Sequence, residues 1–301
     1  MRLRDRRLAL ALPFAFVFLG AAASAPRQDR SGVVVKTTAV AGSVHLLEGA
    51  GGNVGVSIGA DGVLMIDDEF ADLAPKLQAA IDVAAGKSSP PRYLLNTHFH
   101  GDHTGGNAIF GMSATVVAHD NVRKRLAAPK NGKPMESAGL PAVTYASSMS
   151  VHFNGEEVRL AHFDACHTDG DTVIHFVGSN VWHLGDLYFN GRFPFVDLGS
   201  GGSVVGLERA IGELLARIDA GAKIIPGHGP LAQRADLESY RAMLADSIAL
   251  VKAGLAAGKS ADEMVASKTL AKYESLAWQF ISLEAFTKTV ANDLSASTAR
   301  K

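Results

Sequence analysis

Short apolar runs rich in β-branched residues, separated by polar residues and glycines, fill the first part of the chain, which is the pattern of β-strands. Asp61-Gly62 between two of these runs indicates a tight hairpin turn. A helical period follows over Ala71–Ala85, where an apolar residue recurs every third or fourth position. The four predicted strands before that helix are Val33–Thr38, Val44–Glu48, Asn53–Ile58 and Val63–Asp67.

The rest of the chain repeats this order of strands and helices. Further strands are predicted at Tyr93–Asn96, Thr115–Ala118, Val143–Tyr145, Val151–Phe153, Val158–Phe163, Thr172–Val177, Val181–Leu184 and Lys223–Ile225. Helices are predicted at Asn121–Leu126, at Val204–Ile218 and over most of the chain from Asp236 onward, with a polar loop over residues 128–142. This order favours an α/β fold in which two sheets pack face to face with helices outside. Because no long linker separates the halves, residues 26–301 are predicted to form a single domain that includes the C-terminal helices.

The first 25 residues have the pattern of a secretory signal peptide. Four arginines lie within the first seven residues, an apolar run Leu8–Leu19 follows, and small residues occupy positions 21–25. The apolar run is too short to cross a bilayer comfortably. The sequence therefore predicts cleavage of residues 1–25 and a periplasmic or secreted protein, with an uncleaved membrane anchor as the alternative.

Charge and cysteine content narrow the functional classes. The 29 basic and 30 acidic residues leave a net charge of −1, so no nucleic-acid partner is expected. After signal cleavage we also expect no association with membranes, and a small molecule is the expected substrate. Cys166 is the only cysteine, so an intramolecular disulfide is excluded and the size of the core has to stabilise the fold.

The stretch THFHGDH, residues 97–103, follows a predicted strand and concentrates metal-binding side chains. His98 and His100 are two residues apart and point the same way in an extended segment, so both imidazoles can reach one metal ion. Asp102 and His103 follow the turn at Gly101 and point elsewhere as a helix begins at Thr104, so one loop can supply two ions. Imidazole and carboxylate ligands suit zinc, although iron and manganese also accept them. The alternative is a polar loop whose histidines bond to backbone carbonyls.

Three later segments offer similar side chains at predicted strand ends. His167 lies in a loop between strands, Asp186 follows the strand that ends near Leu184, and His228 follows the strand Lys223–Ile225. Glycine is close to each of them in the sequence. Independent strand ends that all deliver ligand-type residues favour a metal site over a polar loop.

The order HxHxDH, then His, then Asp, then His resembles the pattern of the metallo-β-lactamase superfamily, over residues 33 to about 235. The resemblance implies an αββα sandwich, with two mixed β-sheets flanked by helices and the site at one edge. It implies two zinc ions: His98, His100 and His167 would bind the first, and Asp102, His103 and His228 the second, with Asp186 as the bridge. Asp102 would also be catalytic, since it would orient the hydroxide shared by the ions and receive its proton during attack on a carbonyl-type substrate.

The resemblance leaves open whether the substrate is a β-lactam, a lactone or a thioester. Phe189 stands where the best-known lactamases of the family carry a lysine that binds the β-lactam carboxylate, so lactamase activity is expected to be weak or absent. Tyr188, Phe189 and Arg192 are the predicted substrate contacts, and the aromatic stretch that continues to Phe193 and Phe195 predicts either a pocket wall or core packing. An iron-dependent redox enzyme on the same fold and a non-catalytic metal-binding accessory protein are the alternatives.

Overall fold

The computed structural model describes residues 29–128 and 134–299 of the chain. The predicted signal peptide, residues 1–25, lies outside the described residues. None of the helices that the structure describes is both long enough and apolar enough to cross a membrane.

The strands form two mixed sheets. The first has the order β1-β2-β3-β4-β5-β6-β7, antiparallel from β1 to β4 and parallel from β4 to β7. The second has the order β12-β11-β10-β9-β8, in which only β11 and β12 are parallel. The strands are β1 Lys36–Ala41, β2 Val44–Glu48, β3 Val54–Gly59, β4 Gly62–Ile66, β5 Pro91–Leu95, β6 Thr115–His119, β7 Val143–Tyr145, β8 Ser148–Phe153, β9 Glu156–His162, β10 Thr172–Phe176, β11 Val181–His183 and β12 Lys223–Ile225.

Helices cover the outer face of each sheet. The α-helices are α1 Ala74–Ala85, α2 Gly101–Thr104, α3 Asn107–Phe110, α4 Asp120–Ala127, α5 Val204–Leu215, α6 Arg234–Ala256, α7 Ala261–Ala266 and α8 Leu283–Ala299. Short 3-10 turns lie at Ala71–Leu73, Ser137–Gly139, Gly185–Leu187, Leu198–Ser200 and Ala271–Leu276. The predicted αββα sandwich is therefore confirmed.

Three apolar clusters hold these layers together. Between the sheets, Leu64 and Leu95 of the first sheet pack with Ile174 of the second. On the outer face of the first sheet α1 contributes Leu77, and on the outer face of the second sheet α5 contributes Ile211, each to its own cluster. Because β4 is covered on both faces, Val63–Ile66 are buried on both sides of the sheet, and this stretch is continuously apolar rather than alternating.

Two predicted boundaries are wrong for identifiable reasons. The first strand covers Lys36–Ala41 rather than Val33–Thr38. The segment before it bonds to a side chain instead of a neighbouring strand, because the Lys76 ammonium donates a hydrogen bond to the carbonyl of Val33. The helix predicted to begin at Thr104 already begins at Gly101, because the N–H groups of His103 and Thr104 both donate to the carbonyl of His100, at 3.0 Å. Asp102 and His103 are therefore helical residues.

Candidate metal centre

The predicted metal-binding residues meet at one edge of the sandwich, where several strands end. His98 and His100 follow β5, and His167 lies in the loop between β9 and β10. Asp186 lies in the 3-10 turn directly after β11, and His228 follows β12. Since β11 and β12 are parallel neighbours, their carboxyl ends necessarily open on the same edge.

The ligand-type atoms form two groups. The first donor group is His98, His100, His167 and Asp186, and the second donor group is Asp102, His103 and His228. Within each group the candidate ligand atoms all lie within 4.8 Å of one another. The structure thus brings together every side chain for which a metal ligand role was predicted, and the roles themselves stay predictions.

Asp186 faces both groups with different oxygens. Its Oδ2 lies 3.3 Å from His167 Nε2 and 3.8 Å from His98 Nε2, in the first donor group. Its Oδ1 lies 3.1 Å from His103 Nε2 and 3.5 Å from His228 Nε2, in the second donor group. A carboxylate placed this way can bridge two cations.

Three imidazoles have a hydrogen-bond partner on the ring nitrogen that points away from the centre. His100 Nε2–H donates to Asp197 Oδ2 (3.1 Å), and His167 Nδ1–H donates to the carbonyl of Phe195 (2.7 Å). His103 Nδ1–H donates to Asp67 Oδ2 at 2.7 Å. Such outer partners fix the tautomer of a metal-binding histidine and aim its other nitrogen at the ion.

The tautomer of His98 follows from its neighbour. Thr97 Oγ1 donates its proton to Asp67 Oδ2 (2.7 Å), so towards His98 Nδ1 (3.0 Å) the hydroxyl can only accept. His98 Nε2 is then a bare lone pair, and it is buried with no hydrogen-bond partner among the described residues. Buried polar atoms of this kind are costly unless a ligand satisfies them. The residues of this centre therefore fit a metal ion, because the buried lone pair of His98 Nε2 requires a partner.

The electrostatics of the centre keep the carboxylates ionised. Burial alone would raise the pKa of Asp186, but the surrounding imidazoles, His103 first, hold it well below its usual range. Burial also opposes ionisation of Asp102, yet His103 and His228 lower its pKa to about 2. In the first donor group, burial lowers the pKa of His167 to about 4, so that imidazole is neutral at neutral pH. Ionised carboxylates and neutral imidazoles are the forms that bind metals.

The two imidazoles of the second donor group have raised pKa values. Burial lowers the pKa of His228, but the carboxylates of Asp186 and Asp102 outweigh it and raise that pKa to about 9. The same carboxylates raise the pKa of His103 well above its usual range. A cation that binds to this group has to displace protons.

A cavity of about 800 Å³ opens over the second donor group. Its walls include Asp102 and His228, and Phe189 stacks on the His228 ring with centroids 5.0 Å apart and an angle of 18°. Arg192 also lines the cavity, with its guanidinium carbon 5.1 Å from the centre of the Trp278 ring. Two of the predicted substrate contacts, Phe189 and Arg192, are therefore on the cavity wall.

Tyr188 does not fit its predicted role as a substrate contact. Its side chain is fully buried and lies against Tyr240 of α6, with ring centroids 5.0 Å apart, so it is a core residue. Phe193 is also core, stacked on Phe286 of α8, whereas Phe195 is 44% exposed and lines the cavity. The aromatic stretch therefore divides between wall and core, because the irregular chain after Asp186 turns successive side chains to opposite sides.

Several functional candidates were missed in the sequence. Asp67 and Asp197 support histidines from outside, and Trp278 and Phe280 of the C-terminal region line the cavity. Asp67 gave one signal in the sequence, since it is an acidic residue directly after the apolar run of a buried strand. In the structure it adopts a left-handed backbone (φ 58°), which is uncommon for a residue other than glycine. The six other histidines lie outside both donor groups: His45, His119, His152, His162, His175 and His183.

Two curated relatives carry the name hydroxyacylglutathione hydrolase. The one from Anaeromyxobacter dehalogenans is 30% identical over 192 residues, which is 59% of this chain and 66% of the relative. The one from Polaromonas sp. is 32% identical over 142 residues, which is 45% of this chain and 47% of the relative. The chain thus spans less than two thirds of the length of either.

The fold has solved counterparts. The structure described as a metallo-beta-lactamase from Pontibacter korlensis matches with a TM-score of 0.60 at 18% identity, over 70% of this chain and 98% of that one. A family model described as metallo-beta-lactamase superfamily matches residues 48–245, which include both donor groups. These similarities support a hydrolase with a divalent-metal site. The chain belongs to the metallo-β-lactamase superfamily.

Proposed function

We propose that this protein is a binuclear zinc hydrolase that cleaves a carbonyl-type substrate, with thioesters as the first candidates. The single observation that carries the proposal is the position of Asp186, whose two oxygens face two separate donor groups. The orphaned lone pair on His98 and the outer hydrogen bonds of the other imidazoles support the same assignment. Zinc suits this donor set, and iron or manganese would also be accepted.

Two cations held by these groups would supply Lewis acidity, which activates water at neutral pH and polarises a carbonyl. The protein's own part begins with Asp102, whose carboxylate lines the cavity and is 30% exposed. Because its pKa is held at about 2, it is ionised and can accept the proton of the attacking water. Asp186 is 5% exposed and fixes the spacing of the two groups, while Phe189 covers one face of His228.

The choice of thioesters has two supports. The curated relatives named hydroxyacylglutathione hydrolase act on such a substrate according to their names. In addition, the wall position after Asp186 holds Phe189, an apolar ring stacked on His228, which offers no cation to a β-lactam carboxylate. Lactones are the second candidates, and β-lactams are expected to be poor substrates.

The test is a hydrolysis panel with chelated and zinc-reconstituted protein. The panel contains a hydroxyacyl thioester of glutathione, an acyl-homoserine lactone, a cephalosporin, a carbapenem and a phosphodiester. We expect zinc-dependent turnover that is fastest with the thioester. Fast turnover of a β-lactam would contradict the substrate assignment, and no zinc-dependent turnover of any compound would contradict the hydrolase assignment.

Metal analysis of the purified protein separates the alternatives. Iron together with oxygen consumption would favour a redox enzyme on the same fold. A purely structural zinc site is usually closed by four ligands, whereas here Asp102 and His228 line an open cavity, which supports catalysis over an accessory role.

We further propose that the protein is exported to the periplasm or secreted, and that it acts on a small molecule there. The support is the sequence of residues 1–25. Fractionation of cells, with the N-terminus of the mature chain read by mass spectrometry, tests this: full-length protein in the cytoplasm would contradict it.

A further inference from the structure

The segment before β1, residues 29–35, is called the N-terminal arm. It runs along the start of α1, where Lys76 Nζ donates to the carbonyls of Arg30 (3.2 Å), Ser31 (2.5 Å) and Val33 (2.7 Å). An ammonium group has three protons to donate, and Lys76 donates all three to carbonyls of the arm. The arm is therefore fixed against the body of the protein at its first described residues.

Arg30 extends from the arm to the cavity wall. Its guanidinium carbon lies 3.5 Å from the centre of the Phe70 ring, and Nη1 lies 3.4 Å from Asp72 Oδ2. The side chain is 12% exposed, and its Nε is buried with no hydrogen-bond partner among the described residues. A guanidinium has five N–H donors, and the one side-chain acceptor found for them in the described part of the chain is Asp72, at the long distance of 3.4 Å.

The arm and the C-terminal region approach the metal centre from different sides. Phe70 lies beside Asp102: a Cβ atom added to Gly51 would meet Phe70 Cε2 at 3.2 Å and Asp102 Cβ at 3.3 Å. Trp278 lies beside His228, with ring centroids 5.9 Å apart. Arg30, Asp102, His228 and Trp278 line one cavity, so a substrate that contacts both Arg30 and Trp278 lies in the cavity that the second donor group also lines.

We propose that Arg30 binds a carboxylate of the substrate, and that Lys76 positions Arg30 by holding the arm. This inference rests on the proposed function and narrows its substrate class to esters or thioesters that carry a carboxylate away from the scissile bond. The planar guanidinium is stacked on Phe70 at the cavity wall, and its N–H donors match the two oxygens of a carboxylate. The apolar part of the substrate packs against Phe189 and Trp278.

The test measures binding of compounds that cannot be hydrolysed, so it does not depend on turnover. The probes are S-hexylglutathione, which carries carboxylates, and S-hexyl-N-acetylcysteamine, which is a neutral thioether with the same apolar chain. Dissociation constants are measured by calorimetry on the zinc-loaded full chain for the wild type, Arg30→Gln, Arg30→Lys and Lys76→Met. The control is Lys87→Gln, which removes one positive charge from an exposed position outside the cavity lining.

We expect the wild type to bind S-hexylglutathione more tightly than the neutral thioether. Arg30→Gln should weaken the binding of S-hexylglutathione about tenfold, the low end for a hydrogen bond between charged groups, and leave the binding of the neutral thioether unchanged. Arg30→Lys should fall in between, because an ammonium lacks the planar fork. Lys87→Gln should match the wild type.

The position of Lys76 is tested by a double-mutant cycle. Lys76→Met should weaken S-hexylglutathione, but in the presence of Arg30→Gln it should add no further loss, because Lys76 acts through Arg30. Equal weakening of both probes by Arg30→Gln would assign Arg30 a structural role and overturn the proposal, as would equal binding of the two probes by the wild type. Arg30-dependent binding in a protein that hydrolyses no thioester would instead refute the proposed function and leave this inference standing.

Discussion

In the first donor group each of the three imidazoles is held from outside, by Thr97, by Asp197 or by the carbonyl of Phe195. In the second donor group the carboxylate of Asp102 is 30% exposed, and His228, at 11% exposed, faces the cavity. The two groups share Asp186. His100 of the first group also lines the cavity, at 19% exposed, and His103 of the second group is buried and held by Asp67. The groups differ in that all three imidazoles of the first are held from outside, whereas the most exposed donor, Asp102, belongs to the second.

This difference separates two tasks. A group whose imidazoles have fixed tautomers, and in which the pKa of His167 is lowered to about 4, favours tight metal binding. A group with raised imidazole pKa values binds a cation less tightly, and its carboxylate, Asp102, is the donor most accessible to a substrate in the cavity. The first donor group is thus expected to anchor one ion, and the second to bring the other into contact with water and substrate.

Asp186→Asn should have the largest effect, since Asp186 belongs to both groups. An amide lacks the negative charge that balances two cations, so both ions should bind weakly and turnover should fall by more than the roughly 10–100-fold seen when only an outer partner is removed. Metal content per chain and the turnover number of the variant check this. Retention of two tightly bound ions would contradict this comparison, because metal binding by the two groups would then not depend on the carboxylate of Asp186.

Asp102→Ala should have the next largest effect. Loss of its carboxylate removes a donor of the second group and the acceptor for the water proton, so turnover should fall by about 10²–10⁴-fold. The first donor group should keep its ion, and metal analysis should give one tightly bound zinc per chain. Asp102→Asn, which keeps the shape of the side chain, is the matched variant. Full activity in either variant would show that Asp102 is not catalytic.

The contrast between the groups also shows what could be read from the sequence. The donor residues could be predicted because each follows a strand, and the end of a parallel strand is a position that the sequence itself marks; His98, Asp186 and His228 are of this kind. Asp197 could not, because its contact with His100 spans 97 residues and nothing local distinguishes it from other acids. Trp278 comes from a region with no ligand motif, and only packing brings it to the site.

Stepwise removal of metal should empty the second donor group before the first. Under a chelator of moderate strength the second donor group should lose its ion first, and activity should fall to the level of Asp102→Ala while one ion stays bound. Lowering the pH should favour the same loss, because protons on His228, whose pKa is raised to about 9, compete with the cation and are held more fully as pH falls. Simultaneous loss of both ions at every pH would contradict this order.

Asp197→Asn should have a smaller effect confined to the first donor group. The amide oxygen can still accept from His100 Nε2–H, but the charge that strengthens this bond is lost. Zinc affinity of the first donor group should fall by about tenfold, at the low end for such partners. Asp197→Ala, which removes the acceptor altogether, should weaken it further. Competition titration with a zinc indicator measures both variants, and equal affinities in the two would mean that the hydrogen bond does not orient His100.

Trp278→Ala should have the smallest effect of the set, and it should leave both ions in place. The centroid of the Trp278 ring lies 5.9 Å from that of His228 and 6.2 Å from that of Phe189. Trp278 therefore belongs to the cavity wall and is not a metal ligand. Loss of an aromatic contact should raise KM for the thioester by about fivefold with little change in kcat. Trp278→Phe keeps a ring but loses the hydrogen bond from Nε1–H to the carbonyl of Phe193 (3.0 Å), and should lie closer to the wild type. A fall in kcat with loss of zinc would instead mean that Trp278 supports the second donor group itself, because its ring would then hold His228 in place rather than the substrate.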